Sequence, residues 1–109
     1  MIAPGTTLDE HVFVNRGVTI GHDDVIGPFS RIQPGAALGG LSKIGSGVTI
    51  GLGARLYERL VVGDGAVIAA GAVVRHDVEA LALMAGSPAR LMKKLEHKPY
   101  GAGVSDAPH

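Results

Sequence analysis

Thirteen positions spaced six residues apart all carry Ile, Leu or Val: Ile2, Leu8, Val14, Ile20, Ile26, Ile32, Leu38, Ile44, Ile50, Leu56, Val62, Ile68 and Val74. That spacing matches neither the 3.6-residue period of an amphipathic helix nor the two-residue alternation of a simple strand. A fixed six-residue period predicts instead a β-helix, whose short strands wind around a narrow core. Counting the aliphatic residue as position 1, position 2 is often glycine, as at Gly21, Gly39 and Gly51. Position 4 is glycine at Gly5, Gly17, Gly35, Gly47, Gly53, Gly65 and Gly71, where a corner needs a backbone angle open mainly to glycine. Position 5 is mostly small or β-branched, as at Val12, Val18, Ser30, Ala36 and Ser42. A large aliphatic, a corner and a small inward residue describe one face of a triangular coil. Three repeats make a coil of eighteen residues, so residues 2–73 wind about four coils, stacked roughly 4.8 Å apart.

The repeat stops after Val74. Residues 79–86 read as an apolar loop or strand. Ser87-Pro88 has the form of a helix N-cap followed by proline at the first helical position. The pattern then predicts a short helix to about Glu96, with Leu91 and Leu95 one turn apart as its docking face. Beyond His97 the chain has no period and is expected to be disordered. The resulting organisation is a β-helix over 1–78, a loop and helix over 79–97, and a tail over 98–109.

Composition narrows the function. The 109 residues include 17 glycines but only two Phe, two Tyr and no Trp, which suits a thin core of branched aliphatics. Net charge is zero and no basic block precedes residue 90, so nothing points to nucleic acid. No apolar run approaches membrane-spanning length and no signal-peptide pattern opens the chain, so no membrane association is expected. The absence of cysteine excludes disulfides and thiol catalysis and is compatible with a cytoplasmic location.

The register sorts the polar side chains. His22 falls at position 3, an outward corner, directly below Gly40 and above Pro4. A glycine stacked on a histidine leaves space beside the imidazole, and Asp23 stands next in sequence to fix its tautomer. A general base and a plain surface histidine both fit this placement. Asp24 falls at the inward position 5, with Thr6 and Ser42 one coil to either side. It reads as a buried carboxylate bonded to those hydroxyls, or as a second acid tuning His22. His11, His22 and His76 are too far apart along the repeat for a three-histidine metal site, so no metal is expected.

The segments VNRGVTIGHDDVIGPFSRIQPGAALGG, IGSGVTIGLGARL and VIAAGAVVRHDV…AGSPARL resemble the hexapeptide-repeat acyltransferases, in particular the sialic acid O-acetyltransferase and bacillosamine-pathway sugar N-acetyltransferase family. The resemblance covers residues 2 to about 94. It implies an all-β fold, a left-handed parallel β-helix of about four coils with the short C-terminal helix appended. It also implies an acetyl-CoA-dependent O- or N-acetyltransferase acting on a sugar or sugar-nucleotide acceptor by direct transfer. In that family the G-H-D histidine is the general base, which makes His22 catalytic, with Asp23 as its acidic partner. By the same match Asn15 lines the acceptor site. Arg31 stands where many relatives have histidine near the cofactor thioester; it would hold an oxyanion or a phosphate, or be a solvated corner arginine. Gly40, Leu52 and Ala70 match positions lining the pantetheine groove, although any β-helix puts small residues there. Arg90, Lys93 and Lys94 match a region covering the adenosine end of CoA, or form a solvated helix face.

The family's nucleotide-sugar-binding α/β domain has no counterpart in these residues, which hold no GxGxxG and no helix–strand alternation, so the acceptor is not readable. Phe13, Phe29 and Leu52 are expected to point outward, which favours an assembly. The resemblance implies a homotrimer with each site between two subunits. A non-catalytic trimeric scaffold that has lost its acceptor-binding part is the alternative.

Overall fold

The computed structural model describes residues 1–96. Its strands, numbered in chain order, form three faces. The first holds β1 (Thr7–Leu8), β4 (Val25–Ile26), β7 (Lys43–Ile44) and β10 (Val61–Val62). The second holds β2 (Phe13–Val14), β5 (Arg31–Ile32), β8 (Thr49–Ile50) and β11 (Val67–Ile68). The third holds β3 (Thr19–Ile20), β6 (Ala37–Leu38), β9 (Arg55–Leu56) and β12 (Val73–Val74). Within each face the strands pair in parallel with a register of eighteen residues, as in Phe13↔Arg31↔Thr49↔Val67. The chain is therefore a left-handed parallel β-helix of about four coils.

The corners explain how strands of two residues suffice. Position 4 has positive φ at all seven of the predicted glycines and also at His11, Asp23, Phe29, Leu41 and Arg59, with φ between 57° and 65° for these five. A left-handed residue at each corner turns the chain sharply enough to start the next face. The core is the stack of position-1 aliphatics with the position-5 residues between them. Ile20, Ile26, Ile32, Leu38, Ile44, Ile50, Leu56, Val62, Ile68 and Val74 are all buried. The first three rungs differ from expectation: Ile2 and Leu8 are exposed and Val14 is half-buried, because none of the described residues packs a coil below them.

The expected C-terminal helix is absent, and the segment is a strand. β13 (Ala82–Ala85) adds to the second face beside β11, and β14 (Arg90–Lys94) pairs with it antiparallel, Ser87-Pro88 lying in the turn between them. A helix of two turns is marginal by itself, whereas β13 offers an open row of backbone donors and acceptors that a neighbouring strand satisfies. Leu91 is accordingly exposed and does not dock. The expected disorder of 98–109 concerns residues outside those described, as does His97. Among the described residues no helix is long and apolar enough to cross a membrane.

Candidate active site

Each edge of the prism is a column of corner turns. One edge, between the third and first faces, carries residues 3–5, 21–23, 39–41, 57–59 and 75–77. His22 stands on it, and its Nδ1 lies 2.9 Å from Asp23 Oδ2, with both side chains largely exposed. A carboxylate accepts, so Nδ1 carries the proton and Nε2 is left with its lone pair. Two glycines make room for this pair. A Cβ on Gly40 would lie 3.1 Å from His22 Cδ2 and 3.2 Å from Nε2, so the imidazole lies against the Gly40 backbone, and the expected space beside the ring is taken up by the ring itself. A Cβ on Gly5 would meet Asp23 Oδ1 at 2.0 Å. Asp23 has φ of 57°, unusual outside glycine, and this corner conformation directs its side chain back to His22.

Asp24 is fully buried. Its Oδ1 accepts the Ser42 N–H at 2.7 Å, while its own N–H donates to Thr6 Oγ1 at 3.1 Å. The carboxyl is buried as expected, but neither hydroxyl bonds it: on Ser42 it meets the backbone N–H, and the Thr6 hydroxyl takes the Asp24 backbone N–H instead. Oδ2 has no partner. Burial pushes the Asp24 carboxyl above its ordinary value of 3.8, opposed by the Ser42 N–H bond, the nearby Gly21 backbone and His22, and reinforced by Asp23. Above pH 3.8 the unfolded chain releases this proton while the folded chain keeps it, so the folded state binds more protons and its stability falls as pH rises. The loss stops growing once the folded carboxyl has also ionised. Asp24→Asn is expected to lack this decline: urea titrations between about pH 3.5 and 7 should show wild type losing stability relative to the variant as pH rises. Parallel profiles would show that the buried carboxyl is not perturbed.

The other candidates are not gathered at His22. Asn15, Leu52 and Ala70 stand on a different edge, between the second and third faces, and Asn15 Oδ1 accepts the Arg16 N–H at 2.8 Å. Arg31 is not at a corner but in β5 on the second face, its guanidinium 5.8 Å from the Phe13 ring centroid. Leu52 and Phe13 are exposed as expected, at 57% and 50%, whereas Phe29 is half-covered by a stacked His11, ring centroids 5.0 Å apart. Arg90 and Lys93 lie on β14, and Lys94 is engaged by Glu79 at 2.7 Å. Among the described residues no three metal-ligating side chains converge.

At the C-terminal end of the His22 edge lies a cleft that no sequence motif announced. It encloses about 240 Å³ and is lined by Arg75, His76, Arg90, Asp77, Met84 and Pro88, among others. His76 is 54 residues, three coils, above His22, so the repeat itself placed it on this edge; the hairpin that closes the cleft was not foreseeable.

No protein-family model matches the chain. It is 33% identical over 107 residues to serine acetyltransferase 2 of Arabidopsis thaliana, covering 89% of this chain and 33% of that protein. A serine acetyltransferase solved in complex with CoA superposes with a TM-score of 0.79 at 33% identity, over 84% of this chain and 41% of that one. The acetyltransferase domain of PglB from Neisseria gonorrhoeae, in complex with acetyl coenzyme A, gives 0.73 at 32% identity over 84% and 47%. The chain thus spans a third of the plant protein and less than half of either solved chain.

Proposed function

Proceeding from a chain related to the hexapeptide-repeat acetyltransferases, we propose that it transfers an acetyl group from acetyl-CoA to the hydroxyl or amine of a small-molecule acceptor. The observation carrying this reading is the His22–Asp23 pair, 2.9 Å apart, on a β-helix similar in sequence and fold to proteins solved with CoA and acetyl-CoA. With Nδ1–H held by Asp23, Nε2 takes the proton from the acceptor. The freed oxygen or nitrogen attacks the thioester carbonyl, the C–S bond breaks, and the imidazolium returns its proton to the departing CoA sulfur. No acyl-enzyme is needed. The relatives named above favour the hydroxyl of an amino acid such as serine over the expected sugar as the acceptor to test first.

The remaining residues fit this reaction only between subunits. One prism cannot bring two of its own edges together, so Asn15, Leu52, Ala70 and Arg31 would reach His22 only from a second copy. Around the His22 edge Val25, Leu41, Tyr57 and Val61 are exposed apolar side chains, costly in a monomer and suited to such a contact. A homotrimer lets each copy present its His22 edge to one neighbour and its Leu52 edge to the other. The cleft with Arg75, His76 and Arg90 lies three coil spacings, about 14 Å, from His22 and offers cations to the donor's phosphates. Lys93 follows on β14.

Calorimetric titration with acetyl-CoA, alongside the mass in solution, tests the reading. Micromolar binding by a trimer is expected. A folded trimer that binds no acetyl-CoA would leave the scaffold alternative standing, and a stable dilute monomer would defeat the shared site.

A further inference from the structure

The edge that carries His22 is bonded differently from the edge that carries Leu52. On the Leu52 edge the position-5 amides close their own turns: the N–H groups of Ala36, Ala54 and Ala72 donate to the carbonyls of Gln33, Gly51 and Ala69. On the His22 edge the equivalent amides reach a side chain of the preceding coil. Asp24 N–H donates to Thr6 Oγ1 at 3.1 Å, Ser42 N–H to Asp24 Oδ1 at 2.7 Å, and Leu60 N–H to Ser42 Oγ at 3.1 Å. Asp24 is the middle rung of this ladder.

The fold does not require an acid there. Other coils place Val, Ala, Ser or Leu at the same inward position, and Ser30 Oγ reaches the Val48 N–H at 3.2 Å without any charge. A fully buried carboxyl with one oxygen unpartnered costs stability. Such a local violation of the fold's own pattern is expected where function is served.

What Asp24 holds is the turn above the dyad. Ser42, whose amide it binds, ends the turn Gly40–Leu41–Ser42. Leu41 N–H donates to the His22 carbonyl at 2.9 Å, and Gly40 lies against the imidazole. From below, the Pro4 carbonyl accepts the Asp23 N–H at 3.1 Å. Segment 22–24 is thus clamped between two coils, with the Asp24 carboxyl as the side-chain tie to the upper one. Building on the reading of His22 as the base, we propose that Asp24 is a positioning residue that sets the Gly40–Ser42 turn at the height seating the imidazole, with Nδ1 on Asp23. The tie needs only the acceptor oxygen Oδ1 and not a charge.

The test compares wild type with Asp24→Asn, which keeps the acceptor oxygen, and Asp24→Ala, the residue already found at positions 36, 54 and 72. Ring 15N shifts of His22 report its tautomer, and steady-state kinetics report turnover. Wild type and Asp24→Asn should hold the Nδ1–H tautomer. Asp24→Ala should shift His22 toward the Nε2–H form that predominates in an unconstrained neutral histidine side chain. Its kcat should fall roughly ten- to hundredfold at unchanged KM for acetyl-CoA, and Asp24→Asn should retain kcat. An Ala variant with wild-type tautomer and turnover would overturn the proposal, as would equal damage in Ala and Asn, which would assign the effect to charge. If Asp24→Ala does not fold, Asp24→Ser takes its place: its hydroxyl, like that of Ser42 one coil above, should keep the tie and the tautomer. A folded Ser variant with the tautomer lost would refute the proposal. If wild type shows no turnover with any acceptor, the functional reading fails while the tautomer comparison still decides the role of Asp24.

Discussion

Replacing His22 with alanine is expected to lower kcat by about 10²- to 10⁴-fold, the range a positioned general base supplies. At about 1.36 kcal/mol per decade this removes roughly 3–5 kcal/mol of transition-state stabilisation. Binding of acetyl-CoA should persist, because the imidazole is exposed at a corner and supports no core packing. The turn on which the ring lies is not held by the imidazole: the Gly40 carbonyl accepts the Arg59 N–H from the next coil, and Asp24 ties Ser42 from below. The measurement is initial rate against acetyl-CoA at fixed acceptor. A variant with unchanged turnover would remove His22 from the mechanism, and loss of both binding and turnover would point to a structural role instead.

Ile50→Ala carries the second large effect, on stability. Ile50 is fully buried and stacked between Ile32 and Ile68, one coil to each side. Truncation removes three carbons from a column whose neighbours are held at strand spacing by parallel ladders on all three faces, so the cavity cannot readily close. A loss of about 2–5 kcal/mol is expected, read as a lower urea midpoint with unchanged slope at matched protein concentration. A loss below about 1 kcal/mol would show that the coils do slide together. The equivalent change at Ile2, exposed at the open end, should cost far less.

The contrast between those two isoleucines shows what a repeat does and does not encode. Both occupy position 1, and the spacing assigns both to the core, but burial also needs a coil on each side. The C-terminal segment shows the same limit. Leu91 and Leu95 satisfy a helical spacing locally, yet the open edge of β13 offers hydrogen bonds to a strand, and a two-turn helix has too little of its own to compete.

The candidate site divides in the same way. His22 beside Asp23, with Gly40 one coil above, was legible because eighteen residues per coil fix the neighbours of every corner. The adjacency of His22 and Asp23 did not by itself say that they bond; the left-handed conformation of Asp23 and the missing side chain at Gly5 bring the carboxylate to Nδ1. Arg31 was placed at a corner but sits in mid-face over Phe13, since position 6 belongs to the strand.

By itself the sequence determined the coil: its period, its core column, its corners and the vertical neighbours of His22, all consequences of a repeat that allows one register. Only the tertiary structure decided how Asp23 reaches His22, how Asp24 ties two coils, and how the last segment extends the sheet. Those outcomes depend on hydrogen-bond partners and open edges contributed by residues distant in sequence, where local pattern carries no information.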